Sequence, residues 1–434
     1  MKRDGYLWHL CLSLGTRLIM IALRLLRNIL LARLLGPAER GLFALLSALP
    51  ELIGAVTSGG LNSAVAYRAA RQPDMGVLLT YVLVYGCALA SLLTLAGLVL
   101  LQLSGQPLAV MQQLGILAWL LLLAVPLTIG KSALLTLHNA DGRVGPFNAL
   151  RLLESLLPLP LFIGIWLLFP QAALEAAVSS WLLGLLVVVV IGWCWLGRFH
   201  QLRLRWQAET QQQLFHYGAR SHPDVLFQQI LLRADYLLIG VMLPAADLGY
   251  YVMASAAAEL LLIVPEAVTT PLMKRLLQQG DGIERLTPLA LRLTASVMLL
   301  ACLSMALIGE WLIVSLFGVA YAPAYPALLW LLPGLFGLCY ASILRLDLLG
   351  KQRPGALSFI TGAGALLNFI LNLWLIPHSG IVGAAIASSV AYLLVTLGML
   401  GLYCHLGGVA WWRTLLLLPE DIRLLRRLLR ERKP

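Results

Sequence analysis

Residues 356–403 read ALSFITGAGALLNFILNLWLIPHSGIVGAAIASSVAYLLVTLGMLGLY, without a single Asp, Glu, Lys or Arg. A helix crosses the hydrocarbon core of a bilayer with about 20 apolar residues, so this stretch is too long for one crossing and too apolar for a soluble core. The run Pro377-His378-Ser379-Gly380 interrupts it. It therefore reads as two spans, 356–376 and 381–403, folded back at that turn. The uncharged stretches 75–130, 155–174, 176–197 and 311–344 make the same demand on the rest of the chain. Across all 434 residues 60% are hydrophobic and 12% are charged, against about 25% charged in an average soluble domain.

Cutting the apolar segments at Gly, Pro and charge gives ten further spans. These are 10–35, 42–66, 77–103, 114–138, 147–169, 172–196, 216–243, 246–273, 286–317 and 324–349. The fold expected is all-α, a polytopic membrane protein of about twelve transmembrane helices. With the N-terminus inside, 20 of the 31 lysines and arginines fall on the cytoplasmic side, two (Arg33 and Arg40) on the other, and nine within spans. That bias puts both termini in the cytoplasm. Lys2 and Arg3 precede an apolar segment, but Arg17, Arg24 and Arg27 interrupt it and no small-residue cleavage site follows, so it is read as a retained helix. From Pro419 the tail sets Ile422, Leu425 and Leu429 against Arg423, Arg426, Arg427 and Arg430, a basic amphipathic helix suited to the inner leaflet and its lipids.

Several function classes drop out. The net charge of +11 is spread through loops and tail rather than gathered on a soluble module, which argues against nucleic acid. The six cysteines stand singly in apolar segments, with neither CxxC nor Cys/His spacing, so no metal site is expected. No loop exceeds about twenty residues, which leaves no room for a soluble catalytic domain.

The two halves match at a constant offset of 208. Gly41 to Leu52 is answered by Gly249 to Leu260, Gly142 and Pro146 by Gly350 and Pro354, and Ala177-Val178-Ser179-Ser180 by Ala385-Ile386-Ala387-Ser388. Six helices separate the copies, an even number, so the halves are parallel repeats. Such repeats leave a transport site at their interface, a central cavity between two six-helix lobes. The organisation expected is an N-lobe 1–207, a C-lobe 208–410 and a tail 411–434.

Arg24 lies fourteen residues into its span, about 21 Å deep at the helical rise and beyond the reach of snorkelling. Arg17, Arg24 and Asn28 recur at i, i+7 and i+11, a polar stripe with Arg27 beside it. Each such charge costs about 2.5 to 3.5 kcal/mol to insert, which points to function and to a wet or protein-lined face. At the offset of 208 Arg17, Arg24 and Arg27 become Val225, Leu232 and Asp235, so only the first lobe is cationic. A one-sided cationic lining suits an anion, and arginine offers paired donors to phosphate oxygens. The candidate substrate contacts are Arg17, Arg24, Arg27, Asn28 and Lys131. The second lobe carries Asp235, Glu259 and Glu266, with Pro265 freeing a carbonyl nearby. These are candidates for a proton or sodium coupling site, no other cofactor being implied.

The segment Arg27-Asn28-Ile29-Leu30-Leu31-Ala32-Arg33-Leu34-Leu35-Gly36-Pro37-Ala38-Glu39-Arg40-Gly41-Leu42-Phe43 resembles the first hairpin of the polysaccharide and oligosaccharide-lipid flippases. Arg233-Ala234-Asp235-Tyr236-Leu237-Leu238-Ile239-Gly240 with Leu248-Gly249-Tyr250-Tyr251 is similar to their seventh and eighth helices. These flippases belong to the multidrug, oligosaccharidyl-lipid and polysaccharide (MOP) exporter superfamily, two six-helix bundles around a central cavity. The resemblance implies a non-enzymatic flippase of the bacterial inner membrane that exports an undecaprenyl-pyrophosphate-linked oligosaccharide by alternating access, alongside other polysaccharide-assembly proteins. The alternatives are an organic-cation extruder of the same fold, whose cavity should be acidic, and a membrane-embedded enzyme of the polysaccharide pathway.

Overall fold

The computed structural model describes residues 3–57, 60–71, 74–88, 91–92, 95, 99, 116–141, 144–199, 203–263, 283–351, 353–407 and 410–415. Among them every regular element is helical. The helices are α1 (Arg3–Thr57), α2 (Leu61–Arg71), α3 (Met75–Tyr81), α4 (Ile116–Ala140), α5 (Val144–Leu156), α6 (Pro158–Leu168), α7 (Ala173–Phe199), α8 (Ala208–Met242), α9 (Ala245–Glu259), α10 (Ile283–Phe317), α11 (Ala324–Gly350) and α12 (Pro354–Gly407). Six stretches of helix among the described residues are long and apolar enough to cross a membrane: Gly145–Leu168, Ala173–Arg198, Ala208–Met242, Thr287–Phe317, Ala324–Leu348 and Gly355–Gly407. The fold class is as expected, all-α and membrane-spanning.

Glycine and proline set the breaks. In α1 the expected turn between spans one and two shrinks to one residue, Gly36, at φ 71° and ψ 176°, with Pro37 opening the second arm. The positive φ costs glycine nothing, and proline at a first helical position gives up an amide that has no partner there. The uncharged stretch 356–403 behaves alike: α12 is two arms joined at Gly380, φ 57° and ψ −139°. The second span, expected to reach residue 66, instead ends at Thr57, and α2 begins afresh after Gly60, φ 71°. The fifth is divided between α5 and α6 at Pro158, which has no amide to donate. After α3 the third widens into a π-helical stretch, Val82–Ala88. Most of that span beyond residue 88, the end of the eighth from residue 264, and the tail from 416 lie outside the described residues.

The chain divides into two compact units, Met1–Gln229 and Ile230–Pro434, the boundary falling inside α8. In the first, Leu31, Leu35, Phe43 and Leu46 of α1 pack with Ala124, Phe162, Ala177 and Val178. A second cluster joins α2, α3, α4 and α7 through Leu61, Val65, Leu78, Tyr81, Leu134 and Leu196. The second unit is held by close backbone approach. A Cβ on Gly334 of α11 would lie 2.4 Å from Cα of Ser389, so only glycine lets α11 and α12 meet there, and the Ser389 hydroxyl accepts from the Gly334 amide at 3.1 Å. Large apolar side chains such as Phe359, Leu307, Leu168 and Trp374 are exposed, as expected where lipid is the solvent.

Candidate substrate and coupling sites

In the first unit the deciding geometry is on the first arm of α1. Met20, Leu31 and Leu35 are buried, and Arg24, four, seven and eleven residues from them, shares their face. Arg24 is nonetheless exposed. The exposed apolar residues Ile19 and Leu26 lie on the opposite side of the helix. Arg24 therefore projects from the side of α1 opposite that apolar surface. One turn on, Arg27 is partly buried, and its Nε has no hydrogen-bond partner among the described residues.

Lys131 of α4 completes the group and is held by Glu154 of α5, Nζ to Oε1 2.6 Å. The charges of Arg24 and Arg151 also act on Glu154, while Arg24, Glu154 and Glu51 act on Arg27. Arg151 lies over the ring of Phe147, 5.6 Å from its centre. Arg24, Arg27, Lys131 and Arg151 thus all act on or through Glu154, and Glu51 acts on Arg27. Cations exceed carboxylates, which leaves an attractive field for an anion.

Asn28 is engaged from another direction. Arg40, beyond the break at Gly36, donates to its Oδ1 at 3.2 Å and packs over Phe43. Arg40, counted on the outer side of the membrane, is 5% exposed, its guanidinium turned back onto Asn28. Of the other expected contacts, the side chain of Arg17 lies outside the described ones.

In the second unit Asp235 of α8 is the centre of a buried network. Its Oδ2 accepts from the Tyr251 hydroxyl at 2.5 Å and from the Ser388 hydroxyl at 3.4 Å, and its Oδ1 from the Tyr236 amide at 2.9 Å. The Asn368 amide donates to Ser388 Oγ at 3.3 Å, and the Asn372 amide to Asn368 Oδ1 at 2.8 Å. Oδ1 of Asn372 is buried without a hydrogen bond among the described residues. Tyr251 and Ser388 thus touch the carboxylate, and Asn368 and Asn372 extend the network behind Ser388, an uncharged polar surround for one buried acid. Among the described residues no group of three His, Cys, Asp or Glu could hold a transition metal.

Glu259 is not in this network. It is exposed and lies 3.8 Å from Arg233, which also covers the ring of Tyr236. Glu266 lies outside the described residues. At the repeat offset Asp235, Tyr251 and Ser388 answer to Arg27, Phe43 and Ser180, so one scaffold position carries a guanidinium in one lobe and a carboxylate in the other.

Residues 30–326 match the family described as polysaccharide biosynthesis protein. The chain belongs to that family. A curated relative of this polysaccharide biosynthesis protein is the probable low-salt glycan biosynthesis flippase of Haloferax volcanii. It is 23% identical over 84% of this chain and 76% of its own length. Among solved structures, the inward closed conformation of the lipid II flippase MurJ is similar with a TM-score of 0.75 and 14% identity, covering 90% of this chain and 87% of that one. An inward-facing multidrug resistance transporter of the MATE family, MOP superfamily, is similar with a TM-score of 0.66 and 15% identity, covering 91% and 94%. The fold of the chain is therefore that of the MOP exporters.

Tyr251, Asn368, Asn372 and Arg40 were not singled out from sequence. Uncharged polar residues in an apolar span carry no distinguishing signal, and an arginine beside a Gly-Pro turn reads as a loop charge.

Proposed function

We propose that this protein is a flippase that moves a lipid-pyrophosphate-linked oligosaccharide outward across the bacterial cytoplasmic membrane by alternating access, without catalysing a covalent step. Both termini face the cytoplasm. The carrier lipid is undecaprenyl pyrophosphate, and the pyrophosphate engages Arg24 and Arg27, with Lys131 supplying charge through its pair with Glu154. The observation that carries this reading is Arg24, exposed on the face of α1 that also holds the buried Met20, Leu31 and Leu35, amid cations that outnumber their carboxylates. Organic cations would be repelled from that cluster, which disfavours drug extrusion. The network around Asp235 is the place for a coupling proton or sodium ion.

The test is transport in reconstituted vesicles with lipid-linked oligosaccharides and cationic drugs as rival substrates. Transfer of the glycolipid, lost in Arg24→Ala, is the expected result. Drug transport without glycolipid transfer would overturn the reading.

A further inference from the structure

Beside the cationic group, the first unit presents an uncharged polar surface with no part in the site above. Asn62 of α2 donates from Nδ2 to Ser132 Oγ at 2.7 Å, and the Thr136 hydroxyl lies within reach of Asn62 Oδ1 at 3.2 Å and of the Ser132 carbonyl at 2.9 Å. Asn139 stands exposed one turn further along α4. Asn62, Ser132 and Thr136 are partly exposed, whereas Leu61, Val65, Ala133, Leu134 and Leu137 on the other faces of the same helices are buried. A lipid-facing surface has the reverse arrangement, so this face looks onto solvent.

An interhelical clamp would be buried and saturated. Here the Ser132 hydroxyl, accepting from Asn62, keeps its own proton to donate, and Asn62 keeps its second amide hydrogen. The surface begins at Ser132, next to Lys131, and runs about 10 Å along α4 to Asn139 at the helical rise. Tyr67, further along α2, closes that end in a stack on Tyr217, ring centres 4.0 Å apart.

We infer that Asn62, Ser132, Thr136 and Asn139 form a carbohydrate subsite, which takes the hydroxyls and acetamides of the sugar nearest the phosphates. The inference rests on the flippase reading and adds to it a division of labour: cations hold the pyrophosphate, and amides and hydroxyls on the adjoining turns of α4 hold the glycan. Uncharged donors and acceptors without a titratable group select a neutral polyhydroxylated ligand. Each hydrogen bond so placed discriminates against a ligand that lacks its partner, because the protein group is then left unpaired.

The experiment is equilibrium binding to the full chain in nanodiscs. The probes are undecaprenyl pyrophosphate and the same lipid bearing one hexose or N-acetylhexosamine. The wild type should prefer a glycosylated probe by about ten-fold or more. Asn62→Ala with Thr136→Val should bring that ratio toward one while leaving affinity for the bare lipid within about two-fold, the loss of about one hydrogen bond's worth of selectivity. Asn139→Leu, which touches none of the hydrogen bonds between α2 and α4, should reduce the ratio in the same direction and guards against misfolding of the double variant. Arg24→Ala should weaken both probes alike. A wild-type ratio near one, or a ratio unchanged in both variants, overturns the subsite and leaves the flippase reading standing. Failure of the wild type to bind either probe removes both.

Discussion

Arg40 and Asn28 are twelve residues apart on two arms of a broken helix, yet Arg40 Nη2 donates to Asn28 Oδ1 at 3.2 Å. The bond spans Gly36 and fixes the angle at which the arms leave it. Asn28→Ala and Arg40→Ala should each lower thermal stability in detergent, and the double variant should lose less than the sum. A coupling of about 0.5 to 3 kcal/mol is the range for residues in direct contact. Additive losses would mean that the bond does not hold the arms.

Arg24 supplies charge and a planar fork, and the two can be separated. Arg24→Ala should abolish glycolipid export at unchanged protein level, and Arg24→Lys should retain part of it, since lysine keeps the charge and loses the bidentate geometry. Cell-surface polysaccharide measured beside membrane protein abundance decides the matter. Full export in the Arg17, Arg24 and Arg27 triple alanine would end the anion reading.

Asp235 is buried among donors that an asparagine can still largely use. Asp235→Asn should therefore remain folded while flattening the dependence of transport on sodium or on pH, and Tyr251→Phe should shift that dependence by removing the donor at 2.5 Å. Transport rates across sodium and pH series in vesicles read this out. A dependence that survives Asp235→Asn would assign coupling elsewhere.

Glu39 lies in the first turn of the second arm of α1, three residues past the break at Gly36 and outside the span expected over 42–66. Burial pushes its carboxyl above the ordinary carboxylate value, and the charge of Glu175 adds to the shift. The folded state thus holds the proton more tightly than the unfolded chain does. The cost is absent below the ordinary value of about 4.3 and grows as pH rises through it. Glu39→Gln should melt higher than the wild type at pH 7, and the two should converge near pH 4. A constant difference at both pH values would exclude this cause.

Much of the architecture could be read from residues alone, because the bilayer imposes a length on every apolar run and the breaks at Gly36 and Gly380 fall where runs must yield, whereas the division at Pro158 lies inside a span expected to run from 147 to 169. Asp235 and Arg24 stood out for the same reason, as charges where charge is costly. Arg40 did not, since nothing local shows that its guanidinium returns to Asn28. Glu154 is bonded by Lys131, which lies on a different helix 23 residues away, a pairing that no local spacing shows. The donors around Asp235 come from as far as 153 residues along the chain, a distance at which no periodicity reports.

That distance also imposes an order on synthesis. Asp235 and Tyr251 leave the ribosome early, Asn368 much later, and Ser388 twenty residues after that, on the second arm of α12. Until this last arm enters the bilayer the earlier polar groups lack their shared hydroxyl, and an unmatched amide in hydrocarbon is costly. The second arm of α12 accordingly completes this network, and a nascent chain stopped before it leaves the Asp235 carboxylate and the Asn368 amide short of the hydroxyl they share.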